Sequence, residues 1–172
     1  MSDIIIDELI THPISIWAKQ WLLLTCGDLQ RKDYNAMTVA WGSLGNIWNM
    51  PFAQVVVRHS RYTYKFMEKY NSFTLCTFPE KYRQALNLLG TKSGRDGDKI
   101  AESGLTPIAS KTIAAPGFAE AELIIECKKI YWDDMQPVHF LDEEILRHYQ
   151  KRDYHRIYFG KVLSIVGKKR SD

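Results

Sequence analysis

Most apolar runs in the chain are short and strand-sized, with polar or turn-forming residues between them. Trp21–Gly27 (WLLLTCG) is apolar at nearly every position, the pattern of a buried strand, and it stops at the turn signal Gly27-Asp28. Asn35–Gly42 (NAMTVAWG) alternates, with Met37, Val39 and Trp41 on one face and Ala36, Thr38 and Ala40 on the other. Small residues opposite large ones predict that something approaches the small face closely. Phe52–Arg58 follows Pro51 and carries the β-branched run Val55-Val56-Val57, the composition of a central strand. Ser72–Phe78, stopped by Pro79, and the long β-rich segments Glu122–Tyr131 and Tyr154–Val166 complete the strands. Helical spacing marks Arg61–Tyr70, with Ser60 as its N-cap, and Glu80–Leu89, closed by Gly90. Asp98 is placed to cap a short helix through Glu102, and Asp142 to cap one over Asp142–Tyr149.

Strands outnumber helices and do not alternate regularly with them, which disfavours a doubly wound parallel sheet. The expected class is mainly β, an antiparallel barrel with peripheral helices. With no internal repeat or low-complexity linker, residues 1–172 read as a single domain. A chain that is 45% hydrophobic can bury a core without disulfides or a structural metal. Five Trp, nine Tyr and seven Phe either fill that core or line a pocket for a flat ligand.

Charge excludes more than it identifies. A net +3, from 23 Lys and Arg against 20 Asp and Glu, is too mild for a nucleic-acid binder. Asp3, Asp7 and Glu8 stand where a signal peptide would be basic, and no apolar stretch approaches the roughly 20 residues of a membrane span. Cys26, Cys76 and Cys127 are odd in number with no CxxC pair, as expected of a reducing cytoplasm. The basic tail Lys168–Arg170 reads as solvated charge.

Two segments could hold an anion. In Arg58-His59-Ser60-Arg61-Tyr62-Thr63 a strand ends and a helix begins, with two arginines around free N–H groups at the positive end of a helix dipole. The competing reading is an ordinary capped helix with solvated arginines. Thr91–Lys99 (TKSGRDGDK) is a second basic loop without Walker spacing, either a flexible surface turn or a source of cations for the same phosphate. His12, His59, His139, His148 and His155 show no metal-binding spacing. His155 opens the last strand five residues before Gly160, as a site residue or an exposed strand-edge histidine. Hydrolase chemistry lacks its GxSxG elbow, since Gly42-Ser43-Leu44-Gly45 is not one.

Together four stretches resemble the flavin reductase-like family, the FMN-binding split barrel that includes flavoredoxins and NAD(P)H:flavin reductases. They are Asn35-Ala36-Met37-Thr38 with Trp41-Gly42, Arg58–Thr63, Lys92–Lys99, and His155 followed by Gly160, within a resemblance running from about Gly27 to Gly167. The resemblance implies a six-stranded antiparallel Greek-key barrel that forms a homodimer, with FMN at or near the subunit interface. It assigns Arg58, Ser60, Arg61, Tyr62 and Thr63 to the flavin phosphate, with Lys92, Ser93 and Lys99 adding phosphate or ribityl contacts. Asn35, Ala36, Met37 and Thr38 would follow the ring and ribityl chain, and Trp41 either packs near the ring or belongs to the core. His155 would stand beside the flavin face that receives NADH or NADPH as a transient substrate. No Rossmann fingerprint offers the nicotinamide a fold of its own. Two activities follow from the resemblance: an oxidoreductase taking hydride from NAD(P)H, or a flavoredoxin-type carrier reduced by a redox protein partner. A third reading is a split-barrel protein without flavin.

Overall fold

The computed structural model describes residues 1–167, and the basic tail Lys168–Arg170 lies outside the described residues. Ten strands and three α-helices follow one another as β1 (Ser2–Asp3), β2 (Leu22–Asp28), β3 (Asp33–Val39), β4 (Gly42–Ile47), β5 (Met50–Arg58), α1 (Tyr62–Lys69), β6 (Ser72–Thr77), α2 (Arg83–Thr91), α3 (Lys99–Glu102), β7 (Pro107–Ile108), β8 (Gly117–Phe118), β9 (Leu123–Asp134) and β10 (His155–Gly167). The main sheet is antiparallel with strand order β3-β2-β6-β9-β10-β5-β4, and β1 adds to β10. It has eight strands where six were expected. A separate two-stranded ladder pairs β7 with β8. Among the described residues no helix is long and apolar enough to cross a membrane.

Chain connectivity forces this sheet to curl. Its two outer strands, β3 and β4, are joined only by Ala40 and Trp41. Three Cα–Cα steps of about 3.8 Å allow at most ~11 Å between Val39 and Gly42. Seven strands laid flat at ~4.8 Å spacing would hold their outer members about 29 Å apart. The barrel therefore closes at the Ala40-Trp41 corner, and that corner carries the site described below.

Two cores flank the wall. Leu22, Leu24 and Cys26 of β2 point into the barrel with Met37, Val39, Val55, Val57, Phe73 and Tyr158. Leu23 points outward, joining Ala36, Leu86, Leu89, Ile100 and Phe118 beneath the helices. A strand buried on both faces accounts for the unbroken run LLL. The three thiols are buried, and burial pushes those of Cys26 and Cys76 up to about 12, leaving them protonated.

What approaches the small face of β3 is α2. The Thr38 hydroxyl donates to the Leu86 carbonyl at 2.5 Å. A Cβ on Gly90 would lie 3.2 Å from that of Thr38. Gly90 thus serves close packing and does not close the helix, which continues through Thr91. Ser60 is not the N-cap of α1 either. Arg61 occupies that position with no side-chain cap, while the Ser60 hydroxyl donates to the Asp153 carboxylate. Asp98 does cap α3, accepting from the Ala101 N–H at 3.0 Å. Asp142 accepts from Glu144 at the head of a 3-10 turn, Glu143–Tyr149, where a helix was expected. Strand β4 is an addition to the expected set, turned into β5 by Trp48 and Asn49, both at positive φ (51° and 56°).

Gly160 makes room for the barrel interior. A Cβ there would lie 2.5 Å from Phe73 Cζ and 2.8 Å from Cys127 Cβ, both on buried side chains. Gly160→Ala is expected to lower stability by about 1–3 kcal/mol, the usual range for overpacking. Urea unfolding checks this, and an unchanged midpoint would mean that the Phe73 ring yields freely.

Candidate functional site

At the barrel corner a cleft of ≈ 250 Å³ opens between β3, β5 and β10, lined by Met37–Trp41, Val56, Arg58, Arg61 and His155. A smaller cleft of ≈ 120 Å³ lies at the N-terminus of α1, walled by Ser60–Thr63, Thr91–Ser93, Arg95 and Lys99. Arg61 lines both, so the two clefts meet at this residue.

The smaller cleft is built around two cations held by the C-terminal end of α2. A helix leaves its last carbonyls without partners inside the helix, at the negative end of its dipole. Arg61 donates to the Gly90 carbonyl at 2.7 Å, and Lys99 Nζ donates to those of Leu89 and Lys92 at 2.8 and 3.0 Å. Lys99 is only 3% exposed, and among the described residues neither cation has an ion pair with a carboxylate. Burial, and then the nearby charge of Arg61, push Lys99 down to about 8. Burial and Arg58 likewise lower Arg61, against a smaller opposing effect of the Asp153 carboxylate. Two desolvated positive charges, with Arg61 lowering Lys99 and Arg58 lowering Arg61, favour an anion at this cleft, and the uncapped end of α1 adds to that preference.

The other expected phosphate residues are placed differently. Lys92 lines the smaller cleft but its Nζ is paired with both oxygens of Glu102, at 2.7 and 2.6 Å. Ser93 lines it too, its hydroxyl oxygen accepting from the Arg95 N–H. Tyr62 stands between this cleft and a third of ≈ 550 Å³. Arg58 belongs to the larger cleft, where two of its N–H groups go to the carbonyls of His148 and Asp153 at 2.8 Å each. It thereby fastens the Glu143–Asp153 connection to the barrel, with its guanidinium 5.1 Å from the Tyr149 ring centre.

His155 pairs across the ladder with Arg58 and is buried beside the larger cleft. Its Nδ1 is 2.8 Å from the Tyr149 hydroxyl. Burial first, and then the positive charge of Arg58, push the imidazole down to about 4, so it is neutral at physiological pH. Trp41 is 44% exposed and packs its ring 5.2 Å from that of His155 and 5.3 Å from that of His148, at the mouth of the cleft and outside the core. Met37 and Thr38 line the larger cleft. Ala36 does not, its methyl group being sealed in the outer core. Asn35 is turned away from it, donating to Thr63 Oγ1. Sequence reasoning left out Thr91, Arg95, His148 and Tyr149. Arg95 was visible in the basic loop, and it reaches back to donate to the Ser60 carbonyl and to stack 5.1 Å from the Tyr62 ring centre. Tyr149 carries no local signal, because its place depends on the return of β10.

Comparison with known proteins agrees with this architecture. An uncharacterized protein of Pyrococcus abyssi (strain GE5 / Orsay) is 27% identical over 116 residues, 66% of this chain. The matched region spans about half of that relative, 55% of its length. Among solved structures, the flavoredoxin of Desulfovibrio vulgaris (Miyazaki F) superposes with a TM-score of 0.68 at 21% identity, over 98% of this chain and 78% of its own. The NADH:FAD oxidoreductase of Streptomyces globisporus C-1027 gives 0.67 at 13% identity, covering 87% and 75%. An FMN-binding domain of a flavin reductases-like enzyme from Shewanella baltica OS155 gives 0.63 at 17%, covering 85% and 67%. The sequence model of the flavin reductase like domain matches residues 17–171, nearly the whole length, and on that match the chain belongs to the flavin reductase-like family.

Proposed function

We propose that the chain binds FMN across the two joined clefts and acts as a flavin-dependent oxidoreductase that draws hydride from NADH or NADPH. The observation that carries this reading is the pair of half-buried Arg61 and buried Lys99, two cations that line the smaller cleft and hydrogen-bond only to backbone carbonyls. A phosphate there would offset charges that the protein leaves without counter-ions. The apolar residues Met37, Val39 and Val56 among those lining the adjoining cleft suit a flat aromatic ring. FMN, when bound, supplies the hydride and electron chemistry, and the protein supplies binding and orientation.

In this reading Arg61, Lys99, Ser60, Tyr62 and Thr63 hold the phosphate, while Lys92, tied to Glu102, shapes the rim. Residues Met37–Ala40 run along the ring, and Arg58 fixes the wall that carries Tyr149. His155 offers the nicotinamide side a neutral imidazole, oriented through Nδ1 by Tyr149. Trp41, large and exposed at the mouth, is where a second copy of the chain would complete the site, so the proposed unit is a homodimer. The names of the structural neighbours, one an NADH:FAD oxidoreductase and one an FMN-binding domain, support flavin and nicotinamide as the ligand classes.

Anaerobic addition of NADH or NADPH to the FMN-loaded protein is expected to bleach the flavin absorbance. Bleaching by dithionite alone would point instead to a carrier reduced by a protein partner. Arg61→Ala is expected to weaken FMN binding by about 1.5–3 kcal/mol, the worth of a charge-assisted hydrogen bond. A fluorescence titration with unchanged affinity would place the phosphate elsewhere.

Lys99 gives the site a pH signature. Its folded value of about 8 lies below the usual 10.5. Between those values the unfolded chain holds more protons, so this group makes the ligand-free fold more stable as pH rises through the window. FMN binding favours the charged form, so its affinity should fall above pH ~8, approaching tenfold per pH unit. Titrations from pH 6.5 to 9.5 test this, and Lys99→Met should flatten the profile.

A further inference from the structure

Asn35 lies on β3, 4% exposed, outside the walls of both site clefts. Its Nδ2 donates to Thr63 Oγ1 at 2.7 Å. Thr63 is 1% exposed and lines the smaller cleft. A threonine hydroxyl has one hydrogen to give and two lone pairs to accept with. An amide NH2 only donates, so this bond occupies a lone pair of Thr63 and leaves its hydrogen unspent. Thr63 is the second residue of α1, so the helix offers its hydroxyl no carbonyl four residues back. Among the described residues no acceptor takes the Thr63 hydrogen. The amide is held in place from its other side. Gly94 packs so tightly on it that a Cβ there would come within 2.4 Å of Asn35 Oδ1 and 2.8 Å of Tyr62 Cδ1.

We infer that Asn35 is a positioning residue, which fixes Thr63 as a hydrogen-bond donor into the anion cleft without touching the ligand itself. The inference rests on the reading of that cleft as a phosphate site. It gives this side chain a role distinct from the ring contact implied by family resemblance. It also explains the tight approach of Gly94, which brings the basic loop against the same amide. Reversing the polarity of the pair is the decisive change. An aspartate at position 35 can only accept, so it would pull the Thr63 hydrogen out of the cleft and set a negative charge behind it.

Riboflavin, with the same ring and no phosphate, separates this role from a structural one. Affinities of FMN and riboflavin are measured by fluorescence quenching for the full chain and for Asn35→Asp, Asn35→Leu, Thr63→Val and the Asn35→Leu/Thr63→Val pair. Asn35→Asp should weaken FMN by about tenfold, as expected for losing a hydrogen bond to a charged group, and leave riboflavin within about twofold. Equal losses for both ligands, or an unchanged FMN-to-riboflavin ratio, would overturn the inference. If Asn35→Asp does not fold, Thr63→Val carries the test: it must lower the ratio, and Asn35→Leu must add nothing on top of it. Additive losses in that pair would also overturn the inference. A parent protein that does not prefer FMN to riboflavin would overturn the phosphate reading itself, a separate result.

Discussion

Every helix ends with carbonyls that its own N–H groups cannot reach, and in α2 those carbonyls are answered from outside. Lys92 N–H takes the Leu88 carbonyl, Lys99 takes that of Leu89, and Arg61 takes that of Gly90. The same bonds that finish the helix hold one buried and one half-buried cation, pinned to the negative end of its dipole. Arg61 comes from the head of α1 and Lys99 from the start of α3, so one helix end ties three elements around the smaller cleft. With its last turn answered by tertiary donors, α2 needs no left-handed glycine beyond it, and the chain leaves through Lys92 in extended conformation.

The position of α2 is set in turn by the barrel wall. Ala36 and Thr38 are small enough on the outer face of β3 for the helix to lie close, with Gly90 over Thr38. The alternate residues of β3, Met37 and Val39, belong to the barrel interior. A one-residue slip of β3 would put methionine and valine under α2 and spoil both layers together, which strongly specifies the register. Just beyond Val39 the chain turns the corner that closes the barrel, so part of the lining of the larger cleft and the seat of α2 belong to one strand. Geometry at the corner and charge at the helix end are therefore not independent.

Much of this was legible in the sequence, and what was lost follows a pattern. The mainly β class, α1, α2 and the two basic segments could be read because each depends on local spacing. Strand β4 could not, since GSLGNI has two glycines and little β-branching, and it exists by pairing with β5. Its turn gave no warning either, because Trp48-Asn49 replaces the expected glycine at positive φ. Ser60 was read as a cap by a rule that holds in isolation, yet an aspartate 93 positions away takes its hydroxyl. Lys92 and Lys99 look alike in a loop of mixed charge. Only the return of α3, which brings Glu102 to Lys92, shows which of them is neutralised.

That last distinction bears on how charge should be read in such a chain. A surplus of three positive charges over 172 residues says little about any ligand. What matters is which cations fold up next to carboxylates and which do not. Arg156, largely buried, is matched by Asp134 and Glu68, and Lys69 by Asp33, so these hold the fold and offer nothing to an anion. Arg61 and Lys99 hydrogen-bond to backbone carbonyls and pair with no carboxylate among the described residues, and carbonyl dipoles neutralise only part of a unit charge. On the proposed function, the free energy lost in desolvating them is recovered when an anion enters, so it counts against the empty protein and in favour of the bound one. In the proposed reading, affinity for a phosphate arises from an imbalance of charge localised at one helix end and invisible in the total.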